Sequence, residues 1–92
     1  MAKDQLRDAV CAYVVRVLKE ERKKQGVSME VIAERSGLSQ SMISLVERDM
    51  RNPTLDTLLR IAETLNMDLG AIITKARKAA QTKGGGVNDR QK

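Results

Sequence analysis

The stretch from Ser28 to Arg48, SMEVIAERSGLSQSMISLVER, constrains the fold more than any other part of this chain. Ser28 and Ser39 are placed where helices can begin, because a serine hydroxyl can accept a hydrogen bond from a backbone amide of the first helical turn. Gly37 lies between them, at a point where a helix must stop and the chain favours a positive φ. Apolar residues follow each serine at helical spacing. The stretch therefore predicts two short helices joined by a tight turn.

The small side chain of Ala33 indicates that these two helices cross closely, since a larger side chain would push them apart. Ile43 and Val46 are three residues apart and share one face of the second helix. This spacing is typical of a helix-turn-helix, whose second helix enters the major groove of DNA.

The same residues carry a family resemblance. The four most restricted positions of the motif are occupied by Ala33, Gly37, Ile43 and Val46. The run VERDMRNPTL, which ends at Leu55, resembles the I-E-x-G-x-x-x-P-s-L run of the Cro/cI-type (XRE family) regulators, with Asp49 where the family usually has glycine. The resemblance covers Val14 to Ile73. It implies an all-α fold, a five-helix lambda-repressor-like DNA-binding domain, here with an extended N-terminal helix.

The first predicted helix, from Asp4 to Gln25, is longer and more apolar than the family's first helix, which begins near Val14. Its surplus apolar side chains are Leu6, Val10, Tyr13 and Val17. One interpretation is that they cover the C-terminal helix of the same chain. The other is that they form the interface of a homodimer, together with Leu69 and Ile72 beyond the motif. The sequence does not decide which helix forms such an interface.

Two further helices are predicted after the motif. Thr54 is placed to begin a helix that runs from Leu55 to Leu65, and Asp68 to begin another that ends at about Thr82. The glycines at 84–86 break this last helix. We therefore expect a helix-turn-helix domain over residues 1–83 and a disordered tail over residues 84–92.

Composition excludes several classes of protein. One cysteine and no histidine in 92 residues exclude an internal disulfide and argue against a zinc site, so we expect no metal and no cofactor. An enzyme is not expected either, because the commonest general base is missing. One Tyr, no Trp and no Phe give no aromatic platform for stacking unpaired bases. Without a signal peptide or a membrane-spanning apolar run, the expected location is the cytoplasm, with no membrane partner.

The net charge of +5 is unevenly distributed. Residues 1–74 contain equal numbers of cationic and anionic side chains, and residues 75–92 hold the whole excess. The folded part is therefore not expected to bind polyanions in general, and local cations must meet any DNA phosphates.

The resemblance and the chemistry of the side chains together indicate DNA contacts. Gln40, in the first turn of the second helix, can form two hydrogen bonds with adenine N6 and N7. The predicted base contacts are Gln40, Ser41, Ser44, Leu45 and Arg48. The predicted phosphate contacts, at helix starts and in basic segments, are Ser28, Ser39, Arg51, Asn52, Lys23 and Lys24. Leu45 departs from the polar residue usual in the family, and it either touches a thymine methyl or is simply exposed.

Arg22 and Glu47 resemble a family ion pair that ties the first helix to the end of the recognition helix. Such a pair would fix the orientation of the helix without reading sequence. The alternative is that Arg22 reaches a phosphate.

Two functions fit these observations. The favoured one is a sequence-specific transcriptional regulator, a repressor that binds a palindromic operator in double-stranded DNA as a homodimer. The alternative is a protein-interaction adaptor or antitoxin-type module that docks a partner protein with the same fold. The neutral body and the broad apolar first helix are compatible with this alternative.

Overall fold

The computed structural model describes residues 3–49 and 52–85, and within them it contains helices and no strand. The helices are α1 (Lys3–Lys24), α2 (Met29–Ser36), α3 (Gln40–Glu47), α4 (Leu55–Thr64) and α5 (Leu69–Gly85). The predicted all-α fold with an extended first helix is confirmed, and the helix bounds differ from the prediction by one residue at most until the end of α5. None of the described helices combines the length and apolar character that a bilayer crossing requires.

The three central helices begin where the sequence predicts. In each case a side-chain hydroxyl accepts a hydrogen bond of 3.0–3.1 Å from the amide three residues further on, and the residues are Ser28, Ser39 and Thr54. Asp68 similarly accepts a bond from the amide of Ala71 before α5, at 3.3 Å. Because these caps are local, they can be predicted from short stretches of sequence.

The helices end in residues of left-handed conformation. Gly37 has φ 78° and closes α2, with its amide donating to the carbonyl oxygen of Ala33 at 3.0 Å. Asp49 has φ 56° and Asn66 has φ 60°. An L-residue in this region is strained, and Asp and Asn tolerate it better than most. The chain therefore makes the turn after α3 with an aspartate in place of the glycine usual in the family.

The hydrophobic core lies where α2, α3 and α4 meet, and it continues between α1 and α5. Ile32 and Ile43 are fully buried. Leu38 and Leu58 are only partly buried and pack against this core, and its buried residues include Ile32, Ala33, Ile43, Val46, Ile61 and Leu65. Burying one large apolar side chain contributes about 1.5–3 kcal/mol, so this group dominates the stability of the motif.

Helix α5 packs mainly against α1. The small side chains of Ala76 and Ala80 are buried, which lets the two helices approach closely. Leu69 and Ile72 are also buried within the single chain, at 4% and 6% exposure. This burial argues against their predicted place in a dimer interface, because they have almost no surface left to bury against a second copy.

The surplus apolar face of α1 is partly used inside the chain. Val10, Tyr13 and Val17 are half-buried and pack against the core, and Leu6 is half-buried near the start of the helix. The packing of α1 on α5 thus favours the interpretation in which α1 covers the C-terminal helix of its own chain.

Helix α5 continues beyond the predicted break, through Gly84 and Gly85. A glycine inside a helix costs about 1 kcal/mol relative to alanine, so it weakens a helix without forbidding it. The rest of the predicted tail, residues 86–92, lies outside the described residues, as do Met50 and Arg51.

Candidate nucleic-acid interface

The outward face of α3 carries all five predicted base-contact residues on one surface. They line a single depression of about 420 Å³, and they are Gln40, Ser41, Ser44, Leu45 and Arg48. The opposite face of the helix inserts Ile43 and Val46 into the core, at 0% and 2% exposure. Because one face is anchored by packing, the other is presented in a fixed orientation.

The dimensions of α3 suit the major groove. The helix has eight residues and is therefore about 12 Å long, at about 1.5 Å per residue. The major groove of B-DNA is also about 12 Å wide. Gln40 is the first residue of the helix and is exposed, while Arg48 is exposed at the other end.

The chemistry of the depression is mixed. The amide of Gln40 offers both donors and an acceptor, the two serines offer hydroxyls, and Arg48 adds a cation. Leu45, half-buried between them, is its apolar member. Such a surface can hydrogen-bond base edges and also contact a thymine methyl.

The hydroxyl groups of the two serine caps can each still donate a hydrogen bond. Ser28 and Ser39 are exposed, and each uses its oxygen to accept a bond from a backbone amide. A hydroxyl that accepts in this way retains its proton for donation. Together with the free amides of the first helical turn, each cap can therefore donate to a phosphate oxygen.

The other predicted phosphate contacts lie shortly before the starts of helices in sequence. Lys23 and Lys24 are exposed at the end of α1, shortly before α2 begins, and Asn52 is exposed before α4. The sixth predicted contact, Arg51, lies outside the described residues.

A bidentate ion pair joins α1 to the end of α3. The Nε of Arg22 donates to Oε2 of Glu47 at 2.6 Å, and its Nη2 donates to Oε1 at 3.0 Å. The third nitrogen, Nη1, donates to the carbonyl oxygen of Val27 at 2.8 Å. The two side chains are only 12% and 7% exposed. All three guanidinium nitrogens are thus engaged within the protein, which favours the orienting role over a phosphate contact.

Two long-range contacts were not predicted from the sequence. Nε2 of Gln25 donates to the carbonyl oxygen of Leu65 at 2.9 Å, which ties the end of α1 to the end of α4. Nη1 of Arg60 donates to the carbonyl oxygen of Ser36 at 3.0 Å. The sequence offers a signal for only one of these residues. Asp56 and Arg60 are four residues apart on α4, and oppositely charged side chains at that spacing pair on a helix.

The described residues contain no group of three or more His, Cys, Asp or Glu side chains that could hold a metal ion. Cys11 is half-buried in α1.

Comparison with known proteins identifies the family. The helix-turn-helix family model matches residues 18–72, more than half of the chain. The chain belongs to the XRE-type helix-turn-helix family. Its members are DNA-binding transcriptional regulators and do not form an enzyme class. The matched segment contains the whole of α2, α3 and α4, and every predicted DNA contact lies within it.

Individual relatives agree with this assignment. The transcriptional regulator SutR of Escherichia coli is 33% identical over 67 residues, which are 73% of this chain and 38% of SutR. The control protein C.SmaI of Serratia marcescens is 41% identical over 54 residues, 59% of this chain and 64% of that protein. The chain thus spans less than two thirds of either relative.

A solved structure is similar over most of both chains. The crystal structure of a mutant of the restriction-modification controller protein C.Esp1396I has a TM-score of 0.67 and 26% sequence identity. The match covers 83% of this XRE-type chain and 96% of the controller protein. The five-helix fold is therefore that of a known helix-turn-helix protein.

Proposed function

We propose that this chain is a sequence-specific transcriptional repressor that binds a palindromic operator in double-stranded DNA as a homodimer, with α3 in the major groove. The observation that carries the proposal is the single depression on α3, which gathers all five candidate base contacts on the face opposite the core. Repression is the simplest outcome, because a protein that occupies an operator excludes other proteins from the same DNA.

The adaptor alternative has lost part of its support. It rested on the broad apolar face of α1, and α5 covers much of that face within the same chain. The exposed face of α3, by contrast, is mostly polar, as a surface that reads base edges requires.

The test of the proposed function is a substitution at Gln40. Gln40→Ala is expected to weaken binding to the cognate operator by ~1–3 kcal/mol and to flatten the preference at one base pair per half-site. Arg51→Ala, at a predicted phosphate contact, is expected to weaken cognate and scrambled duplexes about equally. The measurement is a binding titration of both duplexes under one set of buffer conditions, with an operator selected from random sequence.

Gln81→Ala is the matched control for Gln40→Ala, because it removes the same side chain from an exposed position on α5. It is expected to leave both affinities unchanged. An equal loss on cognate and scrambled duplexes with Gln40→Ala would contradict the proposed placement of α3 in the groove.

Dimerisation is proposed because one recognition helix reads only a few base pairs, and twofold symmetry doubles the readout. The large apolar side chains most exposed in the described residues are Leu55 and Leu59, at 62% and 39%. They lie four residues apart and so share one face of α4. This α4 face is a better candidate for the contact with a second copy than Leu69 and Ile72, which are already buried within the chain.

Leu55→Glu/Leu59→Glu is expected to convert the dimer to monomers, since two carboxylates would be buried without partners. Sedimentation equilibrium over a range of concentrations measures this. Thr74→Glu/Gln81→Glu places the same charges on exposed positions of α5 and is expected to leave the dimer intact. A double variant of α4 that still dimerises would exclude this face, and Val10→Glu/Val17→Glu would then test α1. An unmodified chain that stays monomeric at high concentration would refute the dimer itself.

A further inference from the structure

Arg60, on α4, is hydrogen-bonded to the turn between α2 and α3. Its Nη1 donates to the carbonyl oxygen of Ser36 at 3.0 Å, across 24 residues of sequence. Ser36 is the last residue of α2 and is buried. Carbonyl groups in the last turn of a helix have no partner within the helix and carry the negative end of its dipole. The guanidinium of Arg60 satisfies one of them.

A second bond holds the guanidinium in this orientation. Its Nε donates to Oδ2 of Asp56, one turn earlier on α4, at 2.8 Å. The planar fork of an arginine directs its nitrogens along fixed lines, so fixing Nε also fixes the direction of Nη1. The charged side chains are 48% and 72% exposed, so this i,i+4 pair by itself adds little stability. Its effect is geometric.

The guanidinium also lies against Gly37. A Cβ added to Gly37 would be 3.2 Å from Nη1 of Arg60, closer than most Cβ contacts. Gly37 has φ 78°, a conformation that already favours glycine. The side chain of Arg60 therefore leaves little room for a Cβ at position 37, in addition to the constraint set by the positive φ of Gly37.

The turn in question sets the start of α3. The amides of Gly37 and Leu38 both donate to the carbonyl oxygen of Ala33, at 3.0 and 3.2 Å, and Ser39 then caps α3. Gln40 is the next residue. A displacement of the turn would accordingly move the end of the helix that carries Gln40.

We propose that Arg60 is a positioning residue for DNA readout, which holds the α2–α3 turn and thereby the direction in which α3 presents Gln40. This inference rests on the proposed function. Arg60 acts through the turn and does not itself touch DNA. Its loss should lower the preference for the cognate operator without removing a base contact.

The experiment combines two readouts on Arg60→Ala and Arg60→Lys. Hydrogen exchange of the amides of Gly37 and Leu38 reports the order of the turn, and titration of cognate and scrambled duplexes reports readout. Arg60→Ala is expected to speed exchange at the turn about tenfold. The ratio of cognate to scrambled affinity should fall by about fivefold. Arg60→Lys keeps the charge and loses the fork, so it should show most of both effects.

Arg35→Ala is the matched control, because it removes an exposed arginine of α2 that lines the same surface depression as Arg60. It should change neither readout. Unchanged exchange in both Arg60 variants would overturn the proposal, and so would faster exchange with an unchanged affinity ratio. Equal loss on both duplexes would make Arg60 a phosphate contact instead. An unmodified chain that fails to prefer any duplex would refute the proposed function. Hydrogen exchange would then still test whether Arg60 holds the α2–α3 turn.

Discussion

Arg22→Ala is expected to lower the free energy of unfolding by ~3–5 kcal/mol, because it leaves the carboxylate of Glu47 buried without its partner. Glu47 is 7% exposed and accepts both of its ion-pair hydrogen bonds from Arg22. The substitution also leaves the carbonyl oxygen of Val27 without the bond from Nη1. A small domain loses about 4–8 °C of melting temperature per kcal/mol, so the change should be obvious in a thermal melt.

Urea unfolding of four variants separates the ion pair from its surroundings. Glu47→Ala should cost a similar amount, whereas Arg22→Met/Glu47→Leu should cost much less than either single change, because neither charge is left alone. Lys23→Ala removes the neighbouring, exposed cation and should stay within about 0.5 kcal/mol of the unmodified chain. A loss below about 1 kcal/mol for Arg22→Ala would show that the pair does not anchor α3.

Ile43→Ala is expected to destabilise the chain by ~2–5 kcal/mol. Ile43 is 0% exposed and attaches α3 to the core, so its truncation leaves a cavity beneath the helix that bears the candidate base contacts. Ile43→Val removes one methylene group and should cost only ~0.5–1.5 kcal/mol. Denaturant unfolding of the two variants gives both values, and equal costs would mean that α3 is packed less tightly than its burial indicates.

The parts of the fold that could be predicted from the sequence are those set by local interactions. A cap such as Ser28 or Ser39 is recognised by an amide three residues away, and the left-handed turn at Gly37 needs only the absence of a side chain. The burial of Ile43 and Val46 follows from helical periodicity, because one face of a short helix must be covered.

The interactions that could not be predicted join distant parts of the chain. The bond from Arg60 to Ser36 depends on how α4 crosses the end of α2, and the bond from Gln25 to Leu65 spans 40 residues. Leu69 and Ile72 looked like surplus apolar surface because periodicity shows that a face is apolar without showing what covers it. The end of α5 lies a few residues beyond the predicted end, since the tendency of glycine to break a helix is only a modest energetic preference.

The candidate site divides in the same way. The five side chains in the depression of α3 lie on one face of one helix, so their grouping could be predicted from spacing. That face is held in place by the packing of Ile43 and Val46, which periodicity predicts, and by polar contacts from other helices. Of these polar contacts, only the Arg22 and Glu47 pair was indicated, through the family resemblance.

The pair between Arg22 and Glu47 also determines how the protein should respond to ionic strength. Glu47 brings a negative charge to the end of the helix that we propose faces a polyanion, and Arg22 neutralises it inside the protein. Dissolved ions screen exposed charges beyond a Debye length of about 8 Å under physiological conditions, and they screen buried pairs much less. Concentrated electrolyte should therefore release the chain from nucleic acid while α3 keeps its orientation, so that dilution restores binding without refolding.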